Sequence, residues 1–235
     1  LEIVQPNWKT FFLFPLHRLL KKRNFSIGKI KLVNKQERIN GYDWPANALT
    51  MIGLNRLTNL EDCIRKVVKD NVEGDFIETG VWRGGATILM RAVLKELEIK
   101  DRIVWLADSF EGVPRPNSRE YPADKNNILH KIRILNCSLE EVKNNFRMHG
   151  LLDDQVKFIP GWFKDTLAHA PLKKIAVLRL DGDLYESTFL TLKHLYPKLS
   201  SGGFVIIDDY NAFPYCKEAV DDYRGKHGIQ ESIIE

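Results

Sequence analysis

The chain has 235 residues, 44% hydrophobic and 28% charged, which suits one soluble α/β domain with an added arm. Its formal charge of +4 is small for this length, so a dedicated nucleic-acid face is excluded as its main feature. The apolar run Phe11–Leu16 is too short to span a bilayer, and the three cysteines (Cys63, Cys137, Cys216) lack metal-ligand spacing and a secretion signal, which points to a reducing, cytoplasmic setting.

Residues 1–40 form an N-terminal arm in which basic residues (His17, Arg18, Lys21, Lys22, Arg23) follow the apolar run, the reverse of a signal peptide. Packing on the domain or a partner subunit is the expected role, with a membrane-surface helix as the alternative. Residues 41–235 form the main domain. It opens with Gly41-Tyr42-Asp43-Trp44-Pro45, after which Ile52, Leu57, Leu60, Ile64, Val67 and Val68 recur at helical spacing.

From Asp75 onward strands alternate with helices. Phe76-Ile77 leads into the turn Glu78-Thr79-Gly80-Val81-Trp82-Arg83-Gly84-Gly85, and a helix carrying Ile88, Leu89, Ala92, Val93 and Leu97 follows. Arg102–Ala107 is a second strand, ended by Asp108. Residues 111–127 hold three prolines among many charges and predict a long loop of the kind that serves as a lid. Ser138-Leu139-Glu140-Glu141 is a capping box that opens another helix. Val156–Ile159, Ile175–Leu180 and Phe204–Ile207 are the remaining strands. Ser187 is the expected cap of the helix between the last two, and Ser200–Gly203 the expected turn into the final strand. Five strands with helical crossovers predict a doubly wound, mostly parallel sheet.

Two acidic clusters end successive strands: Asp181 in Leu180-Asp181-Gly182-Asp183, and Asp208-Asp209 after Ile206-Ile207. Ligands of open parallel sheets bind beyond the carboxyl ends of the strands. Carboxylates brought together there repel one another unless a cation lies between them, and all-oxygen ligands suit a hard ion such as Mg²⁺. Asp181, Asp208 and Asp209 are therefore the candidate metal ligands.

The first strand–turn–helix is the expected cofactor turn, with Gly80 and Gly84 allowing close backbone approach. Its spacing departs from G-x-G-x-x-G, and Glu78 would repel a pyrophosphate while attracting an ammonium. This favours S-adenosylmethionine over a nicotinamide dinucleotide. Asp108 suits the two hydroxyls of an adenosine ribose or the capping of its own turn, and Trp162 suits an adenine face or the core.

These segments occur in order with Asp108-Ser109-Phe110-Glu111-Gly112, Gly161-Trp162-Phe163, Asp181-Gly182-Asp183-Leu184-Tyr185 and Ile206-Ile207-Asp208-Asp209-Tyr210. Together they resemble the macrocin O-methyltransferase family (TylF/MycF type), over about Tyr42 to Gly228. The resemblance implies a class I methyltransferase fold binding S-adenosylmethionine and Mg²⁺, acting on a hydroxyl of a sugar or other small natural product, and assembling as a homo-oligomer. It places Asp181, Asp208 and Asp209 at the metal and Asp183, with Asp181, in catalysis, Asp183 as the general base. Glu78, Thr79, Gly80, Trp82, Gly84, Asp108, Ser109, Ser138 and Trp162 fall at the cofactor. A catechol or phenol acceptor would suit the same metal site. The family continues into further strands beyond the position of Glu235.

Overall fold

The computed structural model describes residues 34–43 and 47–234. Most of the expected arm, and Trp44-Pro45, lie outside the described residues. The arm's last turns form helix α1 (Lys35–Asn40), capped by the Asn34 side chain and packed on α2 (Gly53–Lys69).

Five parallel strands make one sheet: β1 (Asp75–Thr79), β2 (Val104–Asp108), β3 (Val156–Pro160), β4 (Ile175–Leu180) and β5 (Leu199–Ile207). Their order is β3-β2-β1-β4-β5, so the winding reverses between β1 and β4. Parallel pairing demands long crossovers. Helices α3 (Gly85–Glu96), α4 (Leu139–Met148), α5 (Phe163–Thr166) and α6 (Tyr185–Leu195) lie in them, and α7 (Pro214–His227) follows β5.

The strands are apolar on both faces because helices cover both faces. The two-residue pleat sends Phe76, Leu106 and Val177 to one side, with α2, α3 and Phe146 of α4. Ile77, Ala107 and Leu178 go to the other, with Leu192 and Leu195 of α6 and Val220 and Tyr223 of α7. β4 is buried along its whole length, as expected of a central parallel strand.

Three local expectations change. Ser187 does not cap α6; the helix starts at Tyr185 with Leu184 as N-cap, and the carboxylate of Asp124 accepts from the Tyr185 and Glu186 amides instead. Ser200–Gly203 is not a turn before β5 but a bulge within it. Ile175 pairs with Leu199 and Val177 with Phe204, so the extra β5 residues arch out of register, with Gly202 at φ 82°. Helix α7 was not expected, because its buried positions Cys216, Ala219, Val220 and Tyr223 are mostly small and set among charges. Their spacing is nonetheless helical.

Candidate active site

The site follows from strand register. Glu78 on β1 pairs with Arg179 on β4, which pairs with Ile206 on β5. Two residues further along each strand stand Gly80, Asp181 and Asp208. Alternation puts all of these on one face, at the carboxyl end of the sheet where the winding reverses. The ladder continues into this edge: Asp181 N–H donates to Thr79 O (2.9 Å) and Asp208 N–H to Leu180 O (2.9 Å).

Gly80 is required by this approach. Its φ is 87°, and a Cβ there would sit 1.8 Å from the Asp181 carbonyl oxygen. The cofactor turn and the acidic turn therefore touch main chain to main chain. Gly84 starts α3 at φ 83°, and an added Cβ would lie 2.9 Å from Val142 of α4, so it packs helices together rather than lining the crevice.

Asp181, Asp208 and Asp209 each place a carboxylate oxygen within 4.8 Å of the others. Arg179 lies among them with 1% of its side chain exposed. Its guanidinium donates to Glu78, to Asp181 (2.7 Å) and to Asp208. Arg56 of α2 donates to the other Asp208 oxygen, and also to the carbonyls of Ile52 (2.7 Å) and Gly41 (3.3 Å), which ties the segment before α2 to the acidic cluster. Asp183 follows in a left-handed conformation (φ 59°), its N–H donating to Asp209 Oδ2 (3.3 Å).

Among the described residues five carboxylates (Glu78, Asp181, Asp183, Asp208, Asp209) thus face two guanidinium groups. Burial first, then repulsion by neighbouring carboxylates, raises Asp183 to about 8 and Asp209 well above the usual carboxylate range, while burial raises Asp181 to about 6 against the pull of Arg179. Glu78 is raised to about 8 by burial, against the opposing pull of Arg179. Burial works against the charge on Arg179, but Asp208, Asp181 and Glu78 outweigh it and hold the guanidinium charged. The surplus of negative charge is a demand for cations. Among the described residues Glu78 Oε2 is buried without a hydrogen-bond partner, an acceptor with capacity to spare.

Asp108 closes the turn that follows β1. One oxygen accepts from Val81 N–H (2.7 Å) and the other from Phe110 N–H (2.7 Å) and more weakly from Ser109 Oγ. Trp82, left-handed at φ 45°, donates its indole N–H to Ile134 O (2.7 Å) and carries the Arg83 guanidinium over its ring at 4.4 Å. The segment before α4 is pinned to the turn in this way.

Glu78, Gly80, Trp82, Asp108, Ser109, Trp162, Asp181, Asp183, Asp208 and Asp209 line one crevice. Thr79 and Ser138 do not. The Thr79 hydroxyl is buried between Thr191 (3.3 Å) and the Arg179 carbonyl (3.5 Å), and Ser138 Oγ is used as the N-cap of α4, accepting from Glu141 N–H (3.2 Å). Arg179, Arg56 and Asp124 were missed from sequence. Arg179 alone left a signal, a single cation inside an apolar strand beside a neighbour ending in Glu78.

Cys63, Cys137 and Cys216 are free and buried, and burial pushes the Cys137 and Cys216 thiols up to about 12. Among the described residues no helix is long and apolar enough to cross a membrane.

Comparison with known proteins agrees with this geometry. Residues 7–235 match the macrocin O-methyltransferase (TylF) family. The demethyldecarbamoylnovobiocin O-methyltransferase of Streptomyces niveus is 52% identical over 226 residues, covering 96% of this chain and 84% of that protein. The 8-demethyl-8-(2,3-dimethoxy-alpha-L-rhamnosyl)-tetracenomycin-C 4'-O-methyltransferase of Streptomyces olivaceus is 55% identical over 199 residues, covering 84% of this chain and 76% of that protein. The solved O-methyltransferase NovP superposes with a TM-score of 0.86 at 49% identity, covering 96% of this chain and 94% of its own. A sheet with its winding reversal at an acidic crevice, and a cofactor turn without the dinucleotide spacing, are accounted for together: the chain belongs to the TylF macrocin O-methyltransferase family and is an O-methyltransferase that takes its methyl group from S-adenosylmethionine.

Proposed function

We propose that this enzyme depends on a divalent cation, Mg²⁺ in the first instance, and methylates a hydroxyl of a sugar-bearing natural product. The observation that carries the metal is the convergence of Asp181, Asp208 and Asp209 oxygens within 4.8 Å in a site with more buried carboxylates than arginines. The donor set is all oxygen, which fits a hard ion. Glu78, whose buried Oε2 has no hydrogen-bond partner among the described residues, fits the ammonium of the methyl donor, and Asp108 fits its ribose. The acceptor class is supported by the relatives, one of which is named for a rhamnosyl substrate.

A cation held by Asp181, Asp208 and Asp209 would supply Lewis acidity toward an acceptor hydroxyl. The protein's own residues do the rest. Asp183 takes the hydroxyl proton as general base; burial and the neighbouring carboxylates raise its affinity for that proton into the range useful near neutral pH. The contact of Gly80 with the acidic turn fixes where donor and acceptor meet, and alignment of this kind contributes up to about 7–11 kcal/mol in well-oriented cases. Residues 111–115 and Asn117 line the crevice and limit water. Acting as a cytoplasmic homo-oligomer belongs to the same proposal, and light scattering checks the assembly.

The deciding experiment incubates the protein with isotopically labelled S-adenosylmethionine and MgCl₂ or EDTA. The acceptor panel holds demethyldecarbamoylnovobiocin, a rhamnosyl tetracenomycin and catechol, and products are read by mass spectrometry. Label on a sugar hydroxyl that disappears with EDTA and returns with Mg²⁺ supports the proposal. Equal turnover in EDTA removes the metal, and label only on catechol removes the sugar.

A further inference from the structure

The helix that follows the catalytic turn has no cap of its own. α6 begins at Tyr185, two residues after Asp183, and its N-cap is Leu184, an apolar and fully buried residue. The first amides of a helix have no partner within it. Here the partner comes from 61 residues away: Asp124 Oδ1 accepts from Tyr185 N–H (2.7 Å) and Oδ2 from Glu186 N–H (3.0 Å). Asp124 is 0% exposed, although it lies within the expected lid. Its neighbours reinforce the attachment. The Tyr121 ring sits 5.9 Å from that of Tyr185, which stacks on Phe189 at 5.8 Å and donates its hydroxyl proton to Asp222 of α7 (2.8 Å). The Asn127 side chain bonds the Tyr215 hydroxyl. The lid segment therefore has two parts. Residues 111–115 and Asn117 line the crevice, while 121–127 are fastened to α6 and α7.

The turn between β4 and α6 needs support. Asp183 is a non-glycine residue at φ 59°, and such conformations persist only where surrounding structure holds them. On the β4 side the Asp181 amide donates to Thr79 O. On the α6 side Leu184 N–H turns back to Gly182 O (2.6 Å), and the next two amides both end on Asp124.

We propose that Asp124 is a positioning residue: it caps α6 from within the lid segment and so holds the turn that presents Asp183 to the reacting hydroxyl. The lid and the general base are thereby one mechanical unit. Unfastening residues 121–127 releases the start of α6 and lets Asp183 leave its left-handed conformation. The link to catalysis rests on the base role given to Asp183 above; the cap and its hold on the turn do not.

The test compares wild type with Asp124→Ala, Asp124→Asn, Asp183→Asn and the double variant Asp124→Ala/Asp183→Asn. Hydrogen exchange with mass spectrometry is read over residues 181–188. Exchange at the start of α6 is expected to quicken about five- to tenfold in Asp124→Ala, the equivalent of one lost cap, and less in Asp124→Asn, which keeps one acceptor. Adenosylhomocysteine affinity stays the same, since Asp124 is absent from the cofactor turn. With demethyldecarbamoylnovobiocin as acceptor, kcat falls about 10- to 100-fold, as expected for a misplaced catalytic group. The double variant is no more than about twofold slower than Asp183→Asn, because Asp124 acts through Asp183. Where Asp124→Ala does not fold by circular dichroism, Asp124→Asn decides by its exchange. Wild-type exchange in the folded variants overturns the proposal, as does a further full loss of turnover in the double variant. Faster exchange together with normal turnover in Asp183→Asn keeps the cap and instead ends the base assignment.

Discussion

Replacing Arg179 by Met tests whether the acidic site is an electrostatic debt held by one guanidinium. The side chain is 1% exposed and bonds Glu78, Asp181 and Asp208. Asp181 is 28% exposed, so water can take over its share, whereas Glu78 at 2% and Asp208 at 6% stay dry. Breaking a buried ionic network by removing one partner costs about 3–5 kcal/mol, which for a chain of this size lowers Tm by roughly 6–20 °C. Without Arg179, folded-state proton affinities of Glu78 and Asp181 rise still further above their unfolded values. The folded state then holds more protons than the unfolded one, so stability is lost as pH rises through the interval between the two. The deficit of Arg179→Met relative to wild type is therefore largest near pH 8 in EDTA and shrinks toward pH 5. Arg179→Lys keeps the charge without the planar fork and falls between the two. Scanning fluorimetry across that pH range reads all three proteins. A natively folded Arg179→Met within about 2 °C of wild type at pH 8, less than 1 kcal/mol here, would refute the account.

Three further outcomes follow from the same site. Wild-type protein in EDTA loses thermal stability as pH rises from about 5 to 8, because Asp181, Asp183 and Glu78 have folded pKa values of about 6, 8 and 8, all above their unfolded values; Mg²⁺ reverses the loss, and a flat or rising Tm contradicts this. Gly80→Ala forces an L-residue to φ 87° against the Asp181 carbonyl, costing about 1–3 kcal/mol in backbone strain alone, and calorimetry should show adenosylhomocysteine affinity falling with it. Asp183→Asn reduces turnover about 10²–10⁴-fold with adenosylhomocysteine affinity unchanged; near-normal turnover assigns the proton to another group.

The strands and the ends that matter were legible because parallel strands buried on both faces leave apolar runs, and acids at their carboxyl ends stand out against them. Ile175–Leu180 with Asp181 is the clearest case. Residues whose role depends on distant partners were not legible. Asp124 is one acid among many charges in a proline-rich stretch, and only folding shows that it reaches the amides of Tyr185 and Glu186. Ser187 had the right residue type for a cap three positions too late, and it is buried inside the first turn of α6 instead. The Ser200–Gly203 bulge was hidden because glycines in a strand and glycines in a turn have the same composition. Arg56 looks like an ordinary polar position of α2, since its role comes from the approach of that helix to Asp208.

The contact of Gly80 with the carbonyl of Asp181 acts as a fixed gauge. No rotamer change can widen or narrow a gap set by backbone against backbone. With the donor at Gly80 and the acceptor at Asp181 as proposed, adaptation to a bulkier or slimmer acceptor falls to the covering segments and leaves the transfer distance untouched. Exchanging residues 111–120 between relatives is accordingly the way to alter acceptor preference while preserving the rate of the methyl step.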